Sequence, residues 1–214
     1  MSKILALIPA RSGSKGLKNK IILQFNKKPL LFWSIESAKN SKIISDIMIS
    51  SDSDSILNSC KDKFNQVLID KRPDYLSSDS SKTIDLLKYI VELYPKYDYI
   101  CVLQPTSPLR DTGFIDKCCK SILTNKFADV LASGYISHAY KYGSHQNKSR
   151  QELGGFFYDD GNVYILKKKL IKNGKWYSSK RIEIINKFPS TLEIDTFEEF
   201  KILEIIHKKK QNEF

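Results

Sequence analysis

The run Ile4-Leu5-Ala6-Leu7-Ile8 has the length of a buried strand, and it opens without a break into Pro9-Ala10-Arg11-Ser12-Gly13-Ser14-Lys15-Gly16. A strand that empties into a loop of glycines, hydroxyls and cations suits a polyphosphate. Glycines admit the backbone close to the ligand, amides point at phosphate oxygens, and Arg11 and Lys15 add charge. Neither common phosphate loop fits. A Walker A loop separates its glycines by four residues and then needs Lys-Ser/Thr, whereas only Ser14 and Lys15 lie between Gly13 and Gly16. The dinucleotide fingerprint runs three glycines into a helix, and Leu17-Lys18-Asn19-Lys20-Ile21 is too polar and punctuated for an immediate core helix. Taken alone, the loop reads equally well as an ordinary basic strand-to-helix connection.

Further apolar runs of strand length fall at Ile47–Ser50, Gln66–Ile69, Tyr99–Leu103, Val130–Ala132 and Val163–Leu166. Amphipathic stretches alternate with them: Pro29–Ala38, Ser53–Phe64, Thr83–Tyr94 (stopped by Pro95), Gly113–Leu123 and Thr196–Lys209. This alternation predicts an α/β fold, a mostly parallel sheet covered by helices on both faces. No Gly/Ser- or Pro-rich linker interrupts the 214 residues, so one domain over 1–214 is expected. In such sheets ligands bind outside the carboxyl ends of the strands. The segments expected there are Arg11–Lys20, Ser50-Ser51-Asp52-Ser53-Asp54, Asp70-Lys71-Arg72-Pro73 leading to Ser77-Ser78-Asp79-Ser80-Ser81, and Gln104–Arg110. Each is polar, and each also offers helix caps: Asp52 or Ser53, Asp79 or Ser81, and Asp195 before the last helix.

The net charge of +11, from 35 basic and 24 acidic residues, is scattered rather than striped with aromatics. Nucleic acid is therefore not the expected partner, and the clusters Lys167–Lys169 and Lys208–Lys210 read as solvated faces. Cys60, Cys101, Cys118 and Cys119 form no Cys-x-x-Cys pair, and His138, His145 and His207 show no metal spacing with them, which argues against zinc. The apolar runs are too short to span a bilayer or to form a signal-peptide core, so a cytoplasmic protein without a membrane partner is expected.

Ile8-Pro9-Ala10-Arg11-Ser12-Gly13-Ser14-Lys15-Gly16, then Lys28-Pro29-Leu30, then Leu103-Gln104-Pro105-Thr106-Ser107-Pro108-Leu109-Arg110 resembles the acylneuraminate cytidylyltransferases in order and spacing. Arg72-Pro73 with Ser78-Asp79, and Ile194-Asp195-Thr196, extend the likeness over most of the chain. The resemblance implies a Rossmann-like nucleotidyltransferase fold, a three-layer αβα sandwich. It also implies transfer of CMP from CTP to a sialic-acid-like 2-keto sugar acid, giving a CMP-sugar for cell-surface glycans. It assigns Ala10, Arg11, Ser12, Gly13, Ser14, Lys15 and Gly16 to the nucleotide, with Lys20 nearby, and adds Arg72, Ser78, Asp79 and Thr83. Arg11, Lys15 and Asp195 would carry catalysis, Gln104, Lys141, Arg150, Tyr158 and Asp160 would meet the sugar, and Asp195 with Glu193 would hold Mg²⁺. Such ions take one or two carboxylates plus phosphate oxygens. Arginine suits the sugar carboxylate.

Departures from the family pattern matter as much. Ile21 stands where an asparagine is frequent, and Glu193 replaces an aspartate two residues before Asp195. In Phe156–Tyr164, Tyr158 takes the place of an arginine and Asp160 that of an asparagine. Together Tyr158 and Asp160 predict a sugar acid other than N-acetylneuraminate. The excursion around 133–160 is short between Lys141 and Arg150, so the expected homodimer and the sugar pocket both differ from the family's usual form. An eight-carbon sugar acid or another acceptor, or a nucleotide-binding protein without turnover, stand as rival readings.

Overall fold

The computed structural model describes residues 2–13, 16–78, 80–141, 143–144, 148–149 and 151–212. The strand-length apolar runs become the centre of a seven-stranded sheet. In chain order the elements are β1 (Ile4–Pro9), a two-residue hairpin β2 (Gln24–Phe25) and β3 (Lys28–Pro29), α1 (Leu30–Lys39), β4 (Asp46–Ser51), α2 (Asp54–Lys63), β5 (Leu68–Lys71), α3 (Thr83–Leu93), β6 (Tyr99–Val102), α4 (Phe114–Thr124), β7 (Val130–Ser137), β8 (Phe156–Lys167), α5 (Lys168–Lys172), β9 (Arg181–Ile185) and α6 (Phe197–Asn212). The sheet order is β5-β4-β1-β6-β8-β7-β9. Strands β5, β4, β1 and β6 run parallel, β8 is antiparallel to both its neighbours, and β7 pairs in parallel with β9.

The period-two geometry of β1 explains the layers. Ile4, Ala6 and Ile8 face a core shared with α1, α2 and α4, while Leu5 and Leu7 face another shared with α3 and α5. A strand buried on both sides has no polar face, which is why it reads as an unbroken apolar run. A third, smaller core joins Phe25 and Leu30 to Leu109, Ile194, Phe200 and Leu203, seating α6 beside the loops.

Register positions the site. Pro9 pairs with Ser50, and Ser51 with Lys71, so β1, β4 and β5 end level with one another. Ala10, Asp52 and Arg72 therefore leave the sheet side by side.

Some boundaries move. The third strand is Leu68–Lys71 rather than Gln66–Ile69, and β7 and β8 run well beyond their apolar centres as a paired arm. The edge strand β9 was not expected at all. Ile182 and Ile184 turn inward against the main core, while Arg181, Glu183 and Ile185 face out. All four cysteines are buried free thiols. Among the described residues no helix is long and apolar enough to cross a membrane.

Candidate active site

The site starts at the end of β4. Ser53 caps α2, its hydroxyl accepting the Ile56 amide at 3.4 Å, which leaves Asp52 for other work. One Asp52 oxygen accepts the Ser12 amide and the other the Ser12 hydroxyl, both at 2.7 Å. Partial burial pushes the Asp52 pKa up, but those two bonds and the charge of Arg72 outweigh it and hold the carboxyl below its ordinary range.

Arg72 is buried, and its own surroundings aim it. Nε donates to the Ser50 hydroxyl at 3.2 Å and one terminal nitrogen to the Ser50 carbonyl at 2.8 Å. The Ser50 hydroxyl in turn donates to Asp70 at 2.6 Å. The remaining guanidinium edge faces a cavity of ≈290 Å³ lined by Pro9, Arg11, Arg72, Ser78, Thr83 and Gln104, among others. Arg11 reaches the Ser78 carbonyl at 3.4 Å across its mouth. Five residues expected at the nucleotide or the sugar thus share one hollow. Ala10 is buried and donates its amide to the Ser50 carbonyl at 2.8 Å, anchoring the loop's root. Ser14, Lys15, Asp79 and Arg150 lie outside the described residues.

The second half of the site is acidic. Thr196 and Glu199 cap α6 reciprocally: the Thr196 hydroxyl accepts the Glu199 amide at 3.2 Å, and the Glu199 carboxylate accepts the amides of Asp195 and Thr196. The Asp195 side chain is therefore not the cap. It accepts from Lys20 at 2.8 Å, and the same buried ammonium donates to the Ile194 carbonyl at 2.8 Å. Gly16 lies against this segment so closely that a Cβ there would stand 2.5 Å from the Asp195 carbonyl oxygen. Loop and acidic segment are thereby joined at Gly16 and at Lys20. Ile21 is buried in the core beneath them.

Glu193, Asp195, Tyr158, Asp160 and Tyr135 border a cavity of ≈300 Å³. Burial, then the charges of Asp195 and Asp160, raise the Glu193 pKa to about 7, against a weak bond from Thr106 that lowers it. The folded chain then holds a proton there that the unfolded chain has already lost between the ordinary 4.5 and about 7. Stability attributable to this group therefore falls as pH rises through that window. Glu193→Gln is expected to flatten the fall in melting temperature between pH 5 and 8 in chelator and to be the more stable form at pH 8. Parallel curves for the two proteins would refute the assignment.

Asp160 is also tied into the fold. It is buried, one oxygen accepting the Ser133 hydroxyl at 2.6 Å and the Asn162 amide at 3.1 Å, the other Asn186 at 2.7 Å. Asn162 donates to the Ser190 carbonyl at 2.7 Å. With both oxygens engaged, this carboxylate braces β7, β8 and the segment after β9 at the border of that cavity. Tyr158 is half exposed and stands against Tyr135 with ring centroids 5.6 Å apart. Lys141 is exposed after β7 and lines neither hollow.

Gln104 is held by its backbone. Its carbonyl accepts from Arg110 at 2.6 Å and from the Ser34 hydroxyl at 3.2 Å. Arg110 also donates twice to the Asn162 carbonyl and once each to the Ser107 carbonyl and the Ser34 hydroxyl. The roles of Asp52 and Arg110 were not foreseen, since both contacts are made across long stretches of chain. A larger cavity of ≈470 Å³ between α1 and α6 takes in none of the expected site residues.

A family model described as cytidylyltransferase matches residues 5–213. The N-acylneuraminate cytidylyltransferase of Escherichia coli O18:K1:H7 is 28% identical over 99% of this chain and 54% of its own length. A Helicobacter pylori protein described as pseudaminic acid cytidylyltransferase and UDP-2,4-diacetamido-2,4,6-trideoxy-beta-L-altropyranose hydrolase is 31% identical over 79% of this chain and 36% of its own length. The chain thus spans about half of one relative and about a third of the other. The solved structure of CMP:2-keto-3-deoxy-manno-octonic acid synthetase complexed with CTP superposes with a TM-score of 0.76 at 14% identity, covering 98% of this chain and 100% of that one. It has the same fold.

Proposed function

The chain belongs to the cytidylyltransferase family, and on that premise we propose that it transfers CMP from CTP to a sialic-acid-like 2-keto sugar acid, releasing pyrophosphate. The observation that carries this reading is the ≈290 Å³ cavity, where Arg11, Arg72, Ser78, Thr83 and Gln104 converge from the ends of β1, β5 and β6 and the start of α3. Two guanidinium groups in one hollow suit a polyphosphate, and hydroxyls beside them suit a base edge and a ribose.

The anomeric hydroxyl of the sugar attacks the α-phosphorus of CTP. A new P–O bond forms as the bond to pyrophosphate breaks. Catalysis of this kind rests on positioning and on neutralising charge. In this reading Arg11, Lys15 and the loop amides hold the triphosphate, Arg72 and the Ser78–Thr83 segment hold the nucleoside side, and Gln104 sits where nucleotide and sugar meet. The acceptor lies toward Tyr158, with Lys141 and Arg150 drawn to its carboxylate.

Mg²⁺ fits the acidic end. Asp195 and Glu193 are hard oxygen donors, and Glu193 is crowded by carboxylates whose repulsion a cation would relieve. Among the described residues no group of three or more His, Cys, Asp or Glu is placed to hold a metal, so in this reading phosphate oxygens would complete the ion's coordination. Bound there, the metal would neutralise charge on the departing pyrophosphate.

The two relatives are named for N-acylneuraminate and for pseudaminic acid, which supports a sugar acid as acceptor. With Tyr158 in place of a cation, an acceptor other than N-acetylneuraminate is expected. Pyrophosphate release from CTP, measured over nine-carbon and eight-carbon 2-keto sugar acids, is expected to be fastest with a different nine-carbon acid. Fastest turnover with N-acetylneuraminate would refute the acceptor assignment, and no CTP-dependent release with any acid would refute the function.

A further inference from the structure

We infer that Ser50 and Asp52, at the end of β4, are positioning residues that set the two arms of the nucleotide grip, Asp52 through Ser12 and Ser50 through Arg72. This rests on the reading of the ≈290 Å³ cavity as the CTP site. Arg11 and Arg72 reach that cavity from opposite directions, and neither loop holds its shape by local hydrogen bonding alone. The Ala10 amide donates to the Ser50 carbonyl and the Arg72 amide to the Ser51 carbonyl, both at 2.8 Å. Beyond these anchors the side chains take over. Asp52 grips the Ser12 amide and hydroxyl together, and a loop residue bound at two points can no longer swing. Ser50 takes Nε and one terminal nitrogen of Arg72, which fixes the plane of the guanidinium. Asp70 orients the Ser50 hydroxyl, and Tyr89 touches the other Asp70 oxygen at 3.4 Å.

Both arms therefore hang on one three-residue segment, and the spacing between Arg11 and Arg72 is set there. That spacing must match the span between the phosphates and the nucleoside side of one bound CTP. Asp52 is not among the residues lining the cavity, so it acts on the ligand at one remove, through the Ser12 latch beside Arg11 and through its charge near Arg72.

The test is CTP binding by titration calorimetry beside steady-state kinetics. Asp52→Ala is expected to weaken CTP about tenfold in Kd and KM, with kcat at saturating CTP changed by less than about threefold and the KM for acceptor unchanged. Asp52→Asn, which keeps an acceptor for the Ser12 amide, is expected to fall between wild type and Asp52→Ala. Ser12→Ala is expected to lose about as much, and the Ser12→Ala/Asp52→Ala double variant no more than either alone, because both remove the same latch. Ser50→Ala supplies the matching loss on the Arg72 side. Wild-type CTP affinity in Asp52→Ala, or strictly additive losses in the double variant, would overturn the inference. If the wild-type protein binds no CTP, the reading of the cavity falls and this inference falls with it. If wild type binds CTP and Asp52→Ala binds it equally well, only this inference falls.

Discussion

Asp195→Asn is expected to cut pyrophosphate release from CTP by roughly 100-fold or more, the order seen when a group stabilising transition-state charge is removed. The change is close to isosteric, and an asparagine oxygen can still accept from Lys20, so the bond that ties the loop to the acidic segment persists. The α6 cap also persists, because Thr196 and Glu199 supply it. Folding is thereby separated from chemistry: thermal unfolding of the variant in chelator should match wild type within about 2 °C, a shift of under about 1 kcal/mol. With CTP and Mg²⁺ added, the wild-type melting temperature should rise, since a ligand that binds only the native state stabilises it by mass action. The variant should show little of that rise. Turnover within threefold of wild type, or an equal rise on adding CTP and Mg²⁺, would remove Asp195 from the machinery. Lys20→Met probes the same contact from the other side. It leaves Asp195 charged but unheld, so its loss should be smaller and should appear mainly in the Mg²⁺ concentration needed for half-maximal rate.

The residues differ sharply in how visible they were before the structure. The continuous runs of β1, β4 and β6 were legible because a strand buried on both faces must be apolar at every position. The edge strand β9 carries the same physics in weaker form: Arg181-Ile182-Glu183-Ile184-Ile185 alternates, but it is short and half solvated, so it resembles a polar loop. Helix ends were legible only as alternatives. Asp52 and Ser53 are equally good caps by type, and only the fold, by placing Ser12 beside Asp52, decides which one caps α2 and which one holds the loop. Asp195 and Thr196 pose the same choice, settled by Glu199 one turn on. The contacts of Asp160 were hidden for a related reason. Its chain neighbours show an acid in a motif, whereas its partners Ser133 and Asn186 come from β7 and from the segment after β9 and mark it as a brace. Side chains that bond across tens of residues leave no period in the chain, so the candidate site was readable as a set of residue types at strand ends, and its internal wiring was not.

Arg110 belongs to that wiring, and its removal should give the largest loss of stability of any change near the site. The guanidinium carries five N–H donors, and all are used: two toward the Asn162 carbonyl and one each toward the Gln104 carbonyl, the Ser107 carbonyl and the Ser34 hydroxyl. Burial of the charged head brings its pKa down to about 10, slightly offset by Cys101 and by the carboxylates of Asp160 and Glu193, so it stays charged at neutral pH. Arg110→Met keeps volume and removes every donor, taking its bonds from the buried Asn162 and Ser107 residues and leaving the Gln104 carbonyl with the Ser34 hydroxyl alone. The expected cost is roughly 3 kcal/mol, or a fall of about 6–12 °C in melting temperature for a chain of this length. Lysine should recover less than half of it, because an ammonium has three donors and no planar fork to span Asn162 and Gln104 together. The local consequence separates this from a generic core defect. Gln104 is held in place by its carbonyl, so the variant assayed well below its unfolding temperature should show a raised KM for the sugar acid, while CTP affinity, set by Arg11 and Arg72, changes little. Urea midpoints within 0.3 M of wild type, or a KM increase confined to CTP, would show that the loop from Gln104 to Arg110 is not held by this fork.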